Sequence, residues 1–398
     1  MTHKRYLLWL LILCCITLLP AIALNWVLLS NEGDVKGMSF AASDWQQKTH
    51  GITYTPTMGH NFLFKTLRLN DRLHDIDTIV LGSSTGMPID TDMVPKGWKL
   101  YNYTQSGSPL AASISQAEYL VRHAPWIKHY IIAIDWALDF PYQSSRIAPA
   151  DLSRPMQNAS LQHKPSVLAT LHEAISYPRM DKLKKILVNI AKSPHPAKTF
   201  REYFLQLGSD EYTCPDGKSV GKDFGIYNRG SCNGFRYDGS ATYNGYSHIN
   251  NYNTLIISAL ASDSQYVHAL QHTHGEIDAG QFAALTKLNQ AIVKNGGVLM
   301  LYMPPLMPGL ERAFLAHPPL SDDLKRTKLE LAEWAGDKPV ILADFGQSEK
   351  FGCTPDEFLD EHHADPTCYR KIFPAFWQTE TARKALARIA AIESKAHR

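Results

Sequence analysis

Residues 76–84 read Ile76-Asp77-Thr78-Ile79-Val80-Leu81-Gly82-Ser83-Ser84. The apolar, β-branched run Thr78–Leu81 predicts a buried strand. Glycine and two serines then end it in a small-residue turn that presents a hydroxyl. A serine hydroxyl is a weak nucleophile at neutral pH unless a base takes its proton and a third group orients that base. Both partners occur together near the other end of the chain, in Phe358-Leu359-Asp360-Glu361-His362-His363. Ser84, His363 and Asp360 are therefore the expected catalytic residues, as nucleophile, general base and orienting carboxylate.

Around this stretch, helical and strand patterns alternate. They predict a helix over 62–73, strands over 78–81 and 99–103, a helix over 110–123 and a strand over 130–134. After about residue 252 the alternation resumes with a helix over 278–295, a strand over 297–302, a helix over 322–334, a strand over 339–344 and a last helix over 376–395. Such alternation implies an α/β fold, a three-layer α/β/α sandwich around a mostly parallel central sheet. Between about 140 and 252 it lapses, apart from a helical pattern over 168–191, and this stretch reads as an insertion. Residues 31–60 are polar and without period, so they read as a tether, and the expected organisation is 1–30, 31–60 and 61–398.

Residues 6–29 carry no charge and follow Lys4 and Arg5. Their length suits one bilayer-spanning helix, with the positive flank in the cytoplasm and everything after Ser30 outside it. A cleaved signal peptide is the rival, with Ala21-Ile22-Ala23 as its small-residue site. The formal net charge is +2, from 40 Lys+Arg and 38 Asp+Glu, so no field argues for nucleic acid. Beyond Cys14 and Cys15 the chain keeps Cys214, Cys232, Cys353 and Cys368, an even number suited to an oxidising compartment. Three pairings are open. The local one, Cys214 with Cys232 and Cys353 with Cys368, closes two short loops, the second around Asp360 and His363.

Gly82-Ser83-Ser84-Thr85-Gly86 formally satisfies the G-x-S-x-G elbow of α/β-hydrolases. That fold places several strands before its nucleophile and uses an HGG-type segment for the oxyanion, and this chain has neither. It resembles instead the SGNH (GDSL-like) hydrolase superfamily at its first and last motif blocks. There the nucleophile is the third residue of a Gly-x-Ser turn after the first strand, matching Ser84. The acid and base share one Asp-x-x-His segment, matching Asp360 and His363. His362 is the other candidate base, but only His363 keeps that offset.

With its N-terminal membrane helix, the chain looks most like the DltD-like and alginate O-acetylation branch of extracytoplasmic acyl-transfer proteins. The resemblance implies an oxyanion held by the backbone N–H groups of Ser84 and Gly107, the latter in Asn102-Tyr103-Thr104-Gln105-Ser106-Gly107. The Asn that the family supplies as a further donor is absent, because the corresponding strand ends Ile134-Asp135-Trp136. Asp135 and Trp136 are the expected substrate-binding residues.

The resemblance also implies a membrane-anchored serine acyltransferase or esterase with its catalytic domain in the periplasm. It would act on O-acyl, chiefly acetyl, groups of a cell-envelope or exported polysaccharide, with a multi-pass membrane acyltransferase as partner. A carbohydrate deacetylase and a catalytically silent polysaccharide-binding scaffold are the alternatives. No cofactor is implied. Asp360, His362, His363, Asp365, His272 and His274 lack the spacing of a metal-ligand motif, so no metal is expected. Trp126, Trp136, Phe140, Tyr142 and Trp377 fit either core packing or sugar stacking, and Asn158–Ser160 has the form of a glycosylation acceptor.

Overall fold

In a computed structural model of the chain, the described residues are 3–28, 35–54, 61–135, 139–140, 211–224, 232–244, 251–268, 277–336, 338–380 and 382–387, with isolated positions between 168 and 196 and at 391. Among them the strands are β1 (Ile52–Tyr54), β2 (Thr78–Leu81), β3 (Leu100–Asn102), β4 (His129–Ala133), β5 (Tyr212–Thr213), β6 (Val220–Asp223), β7 (Val298–Met303) and β8 (Val340–Asp344). They fall into two compact units, one made by residues 1–64 with 162–232, the other by 65–161 with 233–398.

The second unit carries a five-stranded sheet in the order β3-β2-β4-β7-β8, every neighbouring pair parallel. One ladder crosses it through Asn102, Val80, Ile131, Met300 and Ile341. All residues of β2, β4 and β7 are buried. That burial is why these strands read as unbroken apolar runs with no polar alternation. The helices Leu110–His123 and Ala279–Lys294 pack against each other. The fold is thus α/β with an all-parallel sheet, and each of its strands starts and ends within two residues of the expected bounds.

The strand order matters for function. The first strand of the sheet, β2, connects to β3 on one side, while its other neighbour β4 connects onward to β7 on the opposite side, so the connections leave the adjacent strands β2 and β4 in opposite directions. The crevice this opens at the C-terminal ends of β2 and β4 is the usual ligand position in open parallel sheets. Ser84 follows β2 and Asp135 follows β4.

Three expectations are corrected. The expected last helix over 376–395 is helical at 376–377, 380, 382–387 and 391 among its described residues, and a helix that was not expected, Pro366–Trp377, comes before it. Pro366 and Pro374 disguised the earlier helix. Pro366 sits in the first turn, where its missing N–H costs nothing, and Asp365 caps the helix by accepting from the N–H groups of Thr367 and Cys368. The helix expected over 322–334 begins earlier, at Pro318, for the same reason. Residues 31–60 are no bare tether, since Val35–Thr49 is helical and β1 follows.

That helix buries Phe40, Ala42 and Trp45, and the Trp45 indole donates to Glu211 at 2.6 Å. β1 pairs in parallel with β6, which pairs antiparallel with β5. The Cys214–Cys232 disulfide packs with Ile52 and Tyr212 in this unit's core. Residues His3–Leu28 form one helix, long and apolar enough to span a membrane. Along it Tyr6, Leu7, Leu8, Trp9, Leu11 and Leu19 are all more than half exposed.

Trp136, Tyr142, Asn158–Ser160, His272 and His274 lie outside the described residues, as does most of the 168–191 helix. Residues 162–232 group with the N-terminal unit, while 233–244 belong to the sheet unit and reach the turn after β2.

Candidate active site

The turn that follows β2 is held from every side. Gly82 has a φ of 134°, and a Cβ there would stand 2.6 Å from the Ala133 Cβ on neighbouring β4. Only glycine meets both conditions. Ser84–Gly86 then make one 3₁₀ turn, in which the Gly86 N–H donates to Ser83 O and the Met87 N–H to Ser84 O. A Cβ on Gly86 would stand 2.8 Å from both Thr104 Cγ2 and the Tyr302 hydroxyl.

Each carbonyl of the turn has a donor from elsewhere in the unit. Tyr243 OH donates to Ser84 O at 3.3 Å, and Tyr369 OH to Thr85 O at 2.5 Å. The Asn102 amide, buried at the end of β3, donates to the carbonyls of Gly86, Met87 and Ile89 at 2.8, 3.2 and 2.9 Å. Its oxygen accepts from the Thr104 N–H and hydroxyl and from Lys65 Nζ. Lys65 is fully buried, and burial holds its ammonium well below the ordinary range against the opposing pull of Asp238.

Asn102→Ala would remove the side-chain donor of three carbonyls, of which Gly86 O keeps the Ile89 N–H, Met87 O keeps the Ala241 N–H and Ile89 O loses the Asn102 amide. It is expected to cost about 2–3 kcal/mol of unfolding free energy. It is also expected to slow any reaction at Ser84 at least about tenfold, because a nucleophile displaced by 1 Å loses much of its advantage. Urea unfolding and the rate of modification of Ser84 by an active-site-directed reagent measure the two effects.

The acid and base arrive on one short loop. Phe358 and Ala364 form an antiparallel bridge, closed by the Leu359 N–H to His363 O and the Asp365 N–H to Glu357 O. Inside this hairpin Asp360 Oδ1 accepts the N–H groups of His362 and His363 at 2.9 and 2.8 Å, an Asx-type turn that fixes the carboxylate. Asp360 Oδ2 then meets His363 Nδ1 at 2.6 Å, and His363 Nε2 meets Ser84 Oγ at 2.7 Å. Residues 279 positions apart in sequence are thus one hydrogen-bonded chain at the C-terminal edge of the sheet.

Burial pushes the Asp360 carboxyl up. The His363 hydrogen bond, the charges of His362 and His363 and the His362 N–H more than reverse this, so it sits well below the ordinary carboxylate range. Asp360 is therefore ionised at neutral pH, the state in which it accepts from His363 Nδ1–H and leaves Nε2 as the acceptor for Ser84. His362 does not occupy the base position. Its Nδ1 lies 3.5 Å from Asp360 Oδ1 and 3.3 Å from Glu361 Oε1. Burial lowers the His362 pKa, but Glu361, Asp360 and Asp135 outweigh it and raise the value overall.

The four distal cysteines adopt the local pairing, and Cys353–Cys368 closes 15 positions around the acid and base. Removing it through Cys353→Ser with Cys368→Ser is expected to cost about 3 kcal/mol, the loop-closure value for a ring of this size. Urea unfolding of the variant beside the parent protein measures it, and a parallel fall in Ser84 reactivity is expected.

The other expected site residues are placed as follows. Ser84 opens its turn, so its N–H precedes the turn's own hydrogen bonds. Gly107, at a φ of 66°, is exposed in the turn closed by the Ser108 N–H to Gln105 O, and no hydrogen bond joins it to Ser84, His363 or Asp360. Asp135 is half-buried, receives its orientation through its N–H to Asp139 Oδ2 at 2.7 Å, and lines a pocket with Thr85 and His362.

Trp126 and Trp377 are partly exposed and donate their indole N–H groups to Leu73 O and Met93 O, while Phe140 is buried in the core. Asp360, His362 and His363 offer ligand atoms within 4.8 Å of one another. Both His363 nitrogens already serve Ser84 and Asp360, so a metal ion held there would break that chain.

Asn102, Tyr243 and Tyr369 were missed as site residues. Asn102 lies in the same Asn102–Gly107 block as the expected oxyanion glycine, and nothing local marks its side chain as a donor to another strand's turn. The two tyrosines carry no local signal, because they reach the turn from 159 and 284 positions away. The arrangement can deprotonate a serine hydroxyl, form a covalent ester and return the proton. Compared with protein-family models, with curated proteins and with solved structures, the chain matches none.

Proposed function

We propose that this chain is a membrane-anchored, extracytoplasmic serine acyltransferase or esterase of the SGNH (GDSL-like) kind. It acts on O-acyl groups, chiefly acetyl, of a cell-envelope or exported polysaccharide. The observation that carries the reading is the chain Ser84 Oγ, His363 Nε2, His363 Nδ1, Asp360 Oδ2, with links of 2.7 and 2.6 Å.

In the reaction Ser84 Oγ attacks the acyl carbonyl as its proton passes to His363 Nε2. The Ser84 N–H faces the developing oxyanion, and Asp360 stabilises the imidazolium. His363 then protonates the leaving oxygen, giving acyl-Ser84 and a free hydroxyl on the donor. A sugar hydroxyl, deprotonated by the same imidazole, attacks the acyl-serine, and Ser84 recovers its proton. Water in place of the sugar gives hydrolysis. The site uses this chain's own residues throughout.

The apolar helix His3–Leu28 supports an inner-membrane anchor, and the two disulfides support a catalytic domain in an oxidising, periplasmic space. An anchored acyl-enzyme suits a multi-pass membrane acyltransferase that hands acyl groups across the bilayer, a partner this reading includes. The test is incubation of the full chain with an activated acyl donor and an oligosaccharide, followed by mass spectrometry of the sugar. A mass gain of one acyl group is expected. Release of free acid alone assigns the esterase reaction, and neither product with folded protein overturns the proposal.

A further inference from the structure

His362 is a charged group at the site that the catalytic reading leaves unused. It precedes the base, and its ring lies 4.1 Å from the His363 ring, centroid to centroid. Its Nδ1 stands 3.3 Å from Glu361 Oε1 and 3.5 Å from Asp360 Oδ1. Together with Thr85, Asp135 and Glu311 it also lines a small cavity with room for about one water. A space of that size admits no substrate group, so the charges that face it act on one another and on the turn that carries Ser84.

The titratable groups around His362 come from four parts of the fold. Its own hairpin supplies Asp360, Glu361 and His363. Asp135 comes from the end of β4, where its N–H donates to the buried Asp139 carboxylate at 2.7 Å. Tyr266, which follows the helix Tyr252–Leu260, meets the His362 ring edge to face at 6.5 Å and 87°. Burial, and then the charges of Asp135, Glu361 and Asp360, push the Tyr266 hydroxyl up, so the phenol is neutral. Glu311, on the helix Leu310–Ala316, is paired with Lys328 Nζ at 2.8 Å.

Among the described residues, the ion pairs of Asp360 and Glu361 are all made with imidazoles. His363 must be neutral to take the Ser84 proton, so the positive charge beside these carboxylates is that of His362. Burial works against the charged ring, and Glu361, Asp360 and Asp135 more than reverse it.

We propose that His362 is a positioning residue whose imidazolium offsets the Asp135 carboxylate beside the nucleophile turn, so that negative charge can grow on a carbonyl attacked by Ser84. The inference deepens the acyl-transfer reading and rests on Ser84 being the nucleophile. Asp135 follows β4 and Ser84 follows the adjacent β2, so the carboxylate stands at the sheet edge where the oxyanion forms. An uncompensated carboxylate there opposes that charge, and a partly buried setting strengthens the repulsion. With His362 uncharged or absent, the transition state is reached with Asp135 unopposed. With Asp135 also neutral, the need for the cation disappears.

The experiment measures the second-order rate of fluorophosphonate labelling, mapped to Ser84, from about pH 6 to about pH 9. The proteins are the full chain, His362→Gln, Asp135→Asn and the double variant, each checked by thermal unfolding. Labelling builds negative charge on a phosphoryl oxygen as Ser84 attacks, so it requires no natural donor. The parent rate is expected to fall about tenfold on the alkaline side, as pH rises through a value above the ordinary histidine pKa of about 6.5. His362→Gln should label about tenfold more slowly than the parent at neutral pH and lack that alkaline fall. Adding Asp135→Asn to His362→Gln should restore the rate about tenfold, and Asp135→Asn alone should also lose the alkaline fall. A ring that merely packs gives neither rescue by a neutralised partner nor a changed pH profile.

A folded His362→Gln that labels at the parent rate, or a double variant no faster than His362→Gln, overturns the proposal and leaves the acyl-transfer reading standing. So does a parent rate that stays level through the alkaline range. If His362→Gln does not fold, Asp135→Asn decides alone, and an alkaline fall of parental size overturns the proposal. A folded parent chain that does not label on Ser84 removes the nucleophile, and the inference falls with it.

Discussion

Ser84→Ala is expected to abolish labelling by a fluorophosphonate and to lower kcat/KM for an acyl ester by about 10⁴-fold or more, with the fold intact. The size of the effect follows from what is lost. Ser84 Oγ is the only atom of the turn hydrogen-bonded to an imidazole, and no second hydroxyl can take its place at His363 Nε2. Ser83 is turned away, its hydroxyl paired with Thr85 Oγ1 at 2.9 Å. The fold should tolerate the change, since Ser84 is half-buried and its carbonyl keeps the Tyr243 and Met87 donors. Stopped-time labelling with peptide mapping, alongside thermal unfolding, measures both halves of this expectation. Labelling that persists at another residue would contradict it.

Asp360→Asn is expected to lower turnover by about 10⁴-fold while substrate binding changes little, because the amide presents an N–H where His363 Nδ1–H needs an acceptor. The imidazole would flip its tautomer and turn an N–H towards Ser84, which is the wrong polarity for a base. The pH dependence is a separate expectation with a definite sign. The folded pKa of Asp360 lies below its unfolded value, so its stabilisation is present above the ordinary carboxylate pKa of about 3.9 and disappears only as pH falls through the lower folded value. A fall in activity between pH 8 and 5 therefore does not report Asp360. Urea unfolding from pH 7 to pH 3 should show Asp360→Asn less stable than the parent at neutral pH, with the gap narrowing below about pH 4. An unchanged gap across that range would show that the carboxylate is not held by its neighbours.

Much of the sheet was legible because its information is local. β2, β4 and β7 are buried on both faces, so they announce themselves as short apolar runs, and Leu110–His123 matches its expected bounds. The acid and base were legible for the same reason. Asp360 and His363 are oriented by a five-residue hairpin whose geometry depends on its own backbone N–H groups. What stayed hidden depends on distant partners. β1 takes its hydrogen bonds from β6, with Ile52 opposite Gly221, and no local period can encode that pairing. Tyr369 lies on Pro366–Trp377, a helix that its own prolines conceal, and its role exists only once Thr85 is beside it. The oxyanion expectation at Gly107 rests on the family resemblance alone, because an oxyanion donor points at substrate and not at the three reacting groups. The residue is an exposed turn glycine at the correct edge of the sheet, with no hydrogen bond to the three reacting groups.

Asn102 carries a further lesson about sites of this kind. A carboxamide at the end of β3 fixes the last carbonyl of the neighbouring turn, Gly86 O, and two just after it, Met87 O and Ile89 O, so the nucleophile is positioned by the sheet itself. A rigid turn of this sort presents its hydroxyl before substrate arrives, which lowers the reorganisation needed in the transition state. Tyr243 extends the same principle from residues 233–244, the part of the mid-chain stretch that belongs with the sheet.

The central claim is a covalent one, that an acyl group passes through an ester on Ser84. Acid quenching of the full chain during turnover of an activated acyl donor, followed by intact-mass measurement and peptide mapping, tests it most directly. One acyl adduct, mapped to Ser84 and absent from Ser84→Ala, is the predicted result. Continued donor turnover with no adduct, or with the adduct on another residue, would contradict the account.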